Sequence, residues 1–324
     1  MKSASTALGL LLLATARCAM TDAAPDPPPR LAIRAPDLER PLSESYPAPS
    51  LPEDPVKKAV FARINADRAS QGLPPVAWDE AAARVADLYT AAQVREDVRG
   101  HFLLDGVPPY ARMAFAGIFG FGQENSVAWT TTGSSFQEPS VGLAVEGEAS
   151  MFAEKPPNDG HRRTILDPDA THVGVGWAQG GNRFRMAEEF LTRRLAELTV
   201  ERVASDPETV LFRGRPVAGQ HLHFVTLALE AAPRPISRAE TRTRTRYTYP
   251  EARLAFVPEG LRSLLVAGTT TEDRIRIGAA GDFSFRFTPA QAGLWTIAFH
   301  LSDGRNRPRQ GGLAALWVEK APAR

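Results

Sequence analysis

Gly160-His161-Arg162-Arg163-Thr164-Ile165-Leu166-Asp167-Pro168 is followed within a few residues by Val173-Gly174-Val175-Gly176-Trp177. The second of these and Phe184-Arg185-Met186-Ala187-Glu188-Glu189-Phe190 read as two strands, joined across a Gly180-Gly181-Asn182 turn. Upstream the periodicity is helical. Val56, Val60 and Ile64 recur every four residues and share one helix face, which runs to about Ser70 and stops at Gly72 before Pro74-Pro75. Asp79 is placed to cap a second helix reaching about Glu96, with Val85, Ala86 and Tyr89 inward. Gly-rich, aromatic sequence fills Ala114 to Gly122, and a third helix runs from about Val141 to Ala153, ended by Pro156-Pro157. Helices first and a hairpin last predict a layered α/β domain.

Beyond about Leu198 short apolar runs recur at Val210–Phe212, Leu222–Leu229, Leu254–Val257, Leu264–Val266, Ile275–Ile277, Phe283–Phe287, Trp295–Leu301 and Leu313–Val318. Gly, Pro and Asp separate most of them, the pattern of an immunoglobulin-like β-sandwich. Charge changes sign at the same place. Residues 200–324 carry 18 Lys/Arg against 12 Asp/Glu, whereas the whole chain of 324 residues has a net charge of only +1. That imbalance marks a domain boundary and is too mild to imply nucleic acid. With 43% hydrophobic residues, the chain can bury the cores of two domains.

The N-terminal end reads as an export signal over residues 1–20. Lys2 precedes the short apolar run Ala7-Leu8-Gly9-Leu10-Leu11-Leu12-Leu13-Ala14, followed by Thr15 and Ala16. The run is far short of the ~20 residues a membrane-spanning helix needs, and no later stretch is long enough. Lipidation at Cys18 is the competing reading, although Arg17 stands where a small residue normally precedes a lipidated cysteine. Cys18 is the only cysteine, so no internal disulfide can form and the folded part must rest on its hydrophobic core. Ten prolines between Thr21 and Pro55 make residues 21–54 an extended tether, or alternatively a strap laid along a domain.

Three short features carry the chemistry: His101 in Arg99-Gly100-His101-Phe102, Glu124 in Gly122-Gln123-Glu124-Asn125, and His161. Each alone has a bland explanation as a surface or hydrogen-bonded residue. Together with Asn65-x-x-Arg68, Gly72-Leu73-x-Pro75, Trp78-Asp79, Gly160-His161-Arg162 and Val173-Gly174-Val175-Gly176, their order resembles the CAP family. That family comprises the cysteine-rich secretory, antigen-five and plant pathogenesis-related proteins with their bacterial SCP-like members. The resemblance covers residues 55–192, nearly all of a first domain placed at 55–198, with a second at 199–324. It implies an α-β-α sandwich around an antiparallel sheet, with two histidines and two glutamates lining a cleft. His101 and His161 match the histidines and Glu124 the first glutamate, with Asn125 beside it. Glu154 in Met151-Phe152-Ala153-Glu154 is the choice for the second, with Glu146 and Glu148 as alternatives. Gln123 stands where Gly usually precedes the Glu-Asn pair, and the eukaryotic members' disulfide cysteines are absent.

Two imidazoles beside carboxylates can hold a divalent ion such as Zn²⁺, and the resemblance implies such an ion in some relatives. A glutamate beside a histidine can also move protons at neutral pH. However, no Gly-x-Ser-x-Gly, no His-Glu-x-x-His and no cysteine accompanies the pair, and nothing marks Ser126 or Ser150 as activated. The resemblance implies instead an exported or envelope protein binding a lipid, sterol, small molecule or envelope polymer in its cleft. A metal-assisted hydrolase and a structural envelope protein are the alternatives. In the second domain, Arg242, Arg244 and Arg246 alternate with Thr241, Thr243 and Thr245, which reads as a charged edge strand or an anion-binding stripe. His221 and His223 share a strand face and read as structural, and Trp295 and Trp317 read as core.

Overall fold

The computed structural model describes residues 31–34, 42–45, 51–131, 136, 141–261 and 268–320. The expected export signal, Cys18 and the strand expected at Leu264–Val266 lie outside these residues. Two pieces of the proline-rich stretch are strands, β1 (Leu31–Arg34) and β2 (Leu42–Ser45), and both pair with strands of the second domain. In these pieces the stretch is laid down as a strap and does not hang free.

The first domain begins at α1 (Pro55–Ser70), where the Asp54 carboxylate accepts the Val56 and Lys57 N–H groups at 2.9 and 3.0 Å. Next come β3 (Ala77–Trp78), α2 (Glu80–Glu96, capped by Asp79), α3 (Pro109–Phe115) and β4 (Phe121–Thr130). The domain closes with α4 (Val141–Phe152), α5 (Gly160–Ile165), β5 (His172–Gly180) and β6 (Arg183–Thr192). The sheet order is β3-β5-β6-β4; β4, β5 and β6 are antiparallel, while the two-residue β3 runs parallel to β5. The sheet is therefore mixed, because the chain reaches β5 from β3 by a long path through the intervening helices and β4.

One sheet face, with Val173, Val175, Phe184, Met186 and Phe190, packs on α1, α4 and α5 through Val56, Val60, Ile64, Ala144, Met151 and Ile165. The other receives α2 and α3, through Ala82, Val85, Ala86, Tyr89 and Met113 against Ala187 and Leu191. Gly174 and Gly176 let α2 lie directly on β5. A Cβ on Gly174 would stand 2.2 Å from the Ala83 nitrogen, and one on Gly176 the same distance from the Ala86 carbonyl carbon. The alternation in Val173-Gly174-Val175-Gly176 thus divides by face, bulky toward α1 and bare toward α2.

The second domain is built from β7 (Leu195–Val203), β8 (Asp206–Pro216), β9 (His221–Glu230), the short α6 (Arg238–Thr243) and β10 (Leu254–Pro258). It continues through β11 (Thr270–Ile277), β12 (Phe283–Phe287), β13 (Gly293–Ser302) and β14 (Arg309–Lys320). Its first strand begins at Leu195, upstream of the expected boundary. The ladder β1-β14-β13-β9-β10-β11-β12-β8-β7-β2 is continuous, unlike the two separate sheets of the expected sandwich. Strand β11 makes the corner: it pairs with β10 from Thr270, then with β12 at Arg276 and Ile277. The folded-over sheet encloses one core, including Phe212, Phe256, Phe285, Ile297 and Phe299. Phe212 and Phe285 stack with centroids 4.7 Å apart. Trp295 joins this core, whereas half-buried Trp317 packs at the junction with the first domain.

A correction falls at Thr241–Arg246. The alternation of Arg and Thr reads as a strand, but Arg238–Thr243 is helical, started by the Ser237 hydroxyl accepting the Glu240 N–H at 3.1 Å. The local cap decides the helix, and the residues after it extend across the first domain. The domains share a further apolar cluster: Val107, Tyr110, Ala111 and Ala114 meet Leu294, Leu313 and Ala315. Backbone bonds seal the seam, Leu313 N–H to the Phe119 carbonyl at 2.7 Å and Ile236 N–H to the Leu104 carbonyl at 2.9 Å. Among the described residues no helix is long and apolar enough to cross a membrane.

Replacing Gly174 by Ala forces a methyl group into the α2 backbone. Urea denaturation should show a loss on the order of 2 kcal/mol or more. Gly160→Ala, whose Cβ meets nothing within 4 Å, is the comparison and should leave the midpoint nearly unchanged.

Candidate functional site

Strand β4 lies at the edge of its sheet, and its alternation sends Glu124 and Asn125 to opposite faces. On the α2–α3 face, Glu124 Oε1 meets His101 Nδ1 at 2.8 Å and Glu124 Oε2 accepts from Arg112 Nη1 at 2.6 Å. Arg112 also donates to the His101 carbonyl at 2.8 Å and lies over the Tyr89 ring at 3.8 Å. Burial alone would raise the Glu124 carboxyl, but the Arg112 guanidinium and the His101 hydrogen bond outweigh it and hold the group below the usual range. Directly across the ladder, buried Glu189 is pushed well up by burial and by the Glu124 charge.

On the opposite face His161, from α5, meets Glu154 twice: Nδ1 at 2.6 Å and the backbone N–H at 3.0 Å. The acid paired with His161 is thus Glu154, just past the end of α4. Glu146 is exposed, and Glu148 is buried farther back, 3.5 Å from Arg63. Asn125 Nδ2 donates to the His161 carbonyl at 3.2 Å and to Glu188 at 3.1 Å, tying α5 to β4. The two imidazoles therefore reach the edge of β4 from opposite sides, with ring centroids 6.2 Å apart. Each uses Nδ1 on its glutamate, so Nε2 is the nitrogen left for the cleft.

These groups line a cavity of about 960 Å³ whose walls include Gln123, Asp159, Arg162, Thr164, Asp167 and the second-domain residues Thr245–Tyr249. Tyr247 Oη accepts the Glu124 N–H at 2.7 Å, and its ring meets His101 edge-on at a centroid distance of 4.9 Å. The Tyr249 hydroxyl donates to the Gly122 carbonyl. Sequence reading missed Arg112, Tyr247 and Tyr249. No spacing announces Arg112, and the tyrosines adjoin an arginine run that looked like part of a remote sheet. Ser126 and Ser150 do not line the cavity, and the Ser150 hydroxyl donates to its own helix at Gly147 over 2.7 Å.

His101 and His161 offer two nitrogens, and among the described residues no group of three or more His, Cys, Asp or Glu is placed to hold an ion. That is one fewer than the three protein ligands of a catalytic zinc, so an ion held by these two nitrogens would keep open positions.

A model of the cysteine-rich secretory protein (CAP) family matches residues 61–192, and the first domain of this chain is a CAP domain. The chain is 28% identical over 126 residues to the uncharacterized protein YkwD of Bacillus subtilis (strain 168), covering 39% of this chain and 44% of that protein. It thus spans less than half of that relative. An extracellular SCP-domain protein from Bacillus anthracis str. Ames aligns at 20% identity over 43% of this chain and 40% of its own, with a TM-score of 0.34. An outer surface protein from Borrelia burgdorferi aligns at 15% identity over 45% of this chain and 99% of its own, with a TM-score of 0.35.

Behind the cleft, Glu188 from β6 and Glu148 from α4 are buried near Asp67 and Arg63 of α1 and Asn125 of β4. Burial, with Asp67 adding to it against the Asn125 hydrogen bond, pushes Glu188 up to about 8. Burial and the Glu188 charge push Glu148 up to about 9. The folded chain thus keeps protons that the unfolded chain releases near pH 4.5, so these groups lower stability as pH rises from about 4.5 toward 8–9. Glu188→Gln should flatten that fall. Melting temperatures at about pH 5 and pH 8 should differ less for the variant than for wild type, and equal differences would remove Glu188 from the account.

Proposed function

We propose that the protein is exported and binds a lipid, small molecule or envelope component in its cleft, with His101, Glu124, Asn125, Glu154 and His161 as the polar end. The observation that carries this reading is the cavity of about 960 Å³ that opens onto both glutamate–histidine pairs. A space of that size suits a ligand of lipid or cofactor dimensions, with a few placed polar groups to orient it. Hydrolysis is less well supported. The pairs could move a proton, but among the described residues the cavity lining includes no serine or cysteine to attack a substrate. Export is supported by the charged, then apolar, N-terminal run, and the second domain is read as an immunoglobulin-like module.

The test is to extract the purified full-length protein with organic solvent, analyse the extract, and titrate stripped protein with lipids, sterols and polar envelope fragments. Wild type should carry or take up a ligand, and His161→Ala should weaken uptake roughly tenfold, the worth of one charge-assisted hydrogen bond. A clean extract together with no uptake of any probe overturns the proposal.

A further inference from the structure

The cleft is a two-domain site, and its hydrogen-bonding groups are unequally committed. Of the carboxylates that line it, Glu124 is held by Arg112 and His101, and Glu154 by His161. Asp159 faces Arg163 at 3.4 Å, and Asp167 accepts from Gln123 at 2.8 Å. The guanidinium groups are freer. Arg162 donates to the Phe152 carbonyl at 2.6 Å and lies over the Phe152 ring, and Arg246 donates to Asn158 at 3.2 Å. Neither has a carboxylate partner among the described residues, and each has several donors to spare. Arg162 belongs to the first domain and Arg246 to the second, and both line the same cavity.

The imidazoles add a second requirement. In its neutral form a histidine whose Nδ1–H is taken by a carboxylate presents Nε2 as an acceptor, and the Nδ1 atoms of His101 and His161 both sit on carboxylates. The cleft thus asks for hydroxyl donors at its histidines and for negative charge at its mouth. Tyr247, edge-on to His101, closes the floor on the second-domain side.

Resting on the reading that the cleft binds a ligand, we propose that Arg246 and Arg162 make it selective for an anionic polyol. Its phosphate or carboxylate sits on the guanidinium groups and a hydroxyl reaches a histidine Nε2. A glycerophosphate unit has this chemistry, whether as a lipid headgroup or as a soluble or polymeric polyol phosphate.

The full chain is titrated by calorimetry with glycerol 1-phosphate, with glycerol and inorganic phosphate as its separate halves, and with vesicles of phosphatidylglycerol or phosphatidylcholine. Glycerol 1-phosphate should bind more tightly than either half, and Arg246→Ala should weaken it roughly tenfold or more. Arg246→Lys should recover part of the loss, and Arg274→Ala, on β11 and outside the cleft lining, should bind as wild type does. Binding confined to phosphatidylglycerol vesicles assigns the ligand to a lipid surface, and binding in solution assigns it to a free or polymeric polyol. Two outcomes overturn the proposal: no anionic polyol bound in either form, or equal affinity in wild type and Arg246→Ala. If a sterol or neutral lipid is taken up equally by both, the cleft still binds and only the anionic selectivity falls.

Discussion

An edge strand exposes a row of N–H and C=O groups that must be paired, covered or left to water. Here β4 is that strand, and the site is assembled around its edge. The Glu124 N–H and the Gly122 carbonyl are taken by the hydroxyls of Tyr247 and Tyr249, residues of the second domain. The edge is thus closed by side chains, which leaves room beside it for a cavity. A further strand would have filled that space.

The same strand divides the site's electrostatics. Glu124 is buried on one face and is tolerable there only because Arg112 and His101 supply charge and hydrogen bonds. Asn125, on the other face, is neutral, and it joins α5 to β4 through the His161 carbonyl. The two glutamate–histidine pairs are consequently unlike. The Glu124 side chain is fully buried, whereas Glu154 and His161 keep about a quarter to a third of their side-chain surface in water. The first pair is a fixed part of the floor, and the second stands at the more exposed rim.

The domain seam follows from the same requirement. For Tyr247 and Tyr249 to reach β4, the chain between β9 and β10 must cross the first domain. The cluster of Tyr110, Ala111 and Ala114 with Leu294, Leu313 and Ala315 holds it there. Arg244 over the Phe102 ring at 3.8 Å and Ile236 bonded to Leu104 pin the crossing near His101. Cleft and seam are therefore one construction.

By itself the sequence determined three of the first domain's helices and its hairpin, and it singled out His101, Glu124, Asn125, Glu154 and His161, which the fold brings to one cavity. Each of these rests on local periodicity, a cap, or position within a family-wide order. It also located most of the later strands, since apolar runs bounded by turn residues have a local signature. The tertiary structure alone decided that Arg112 neutralises Glu124, that β11 turns the corner of the second sheet, and that a tyrosine strap from the second domain walls the cleft. Those contacts join residues 12, 123 and 127 positions apart. No local pattern encodes such pairings, because the unpaired edge and the buried charge they satisfy exist only once the sheet has formed.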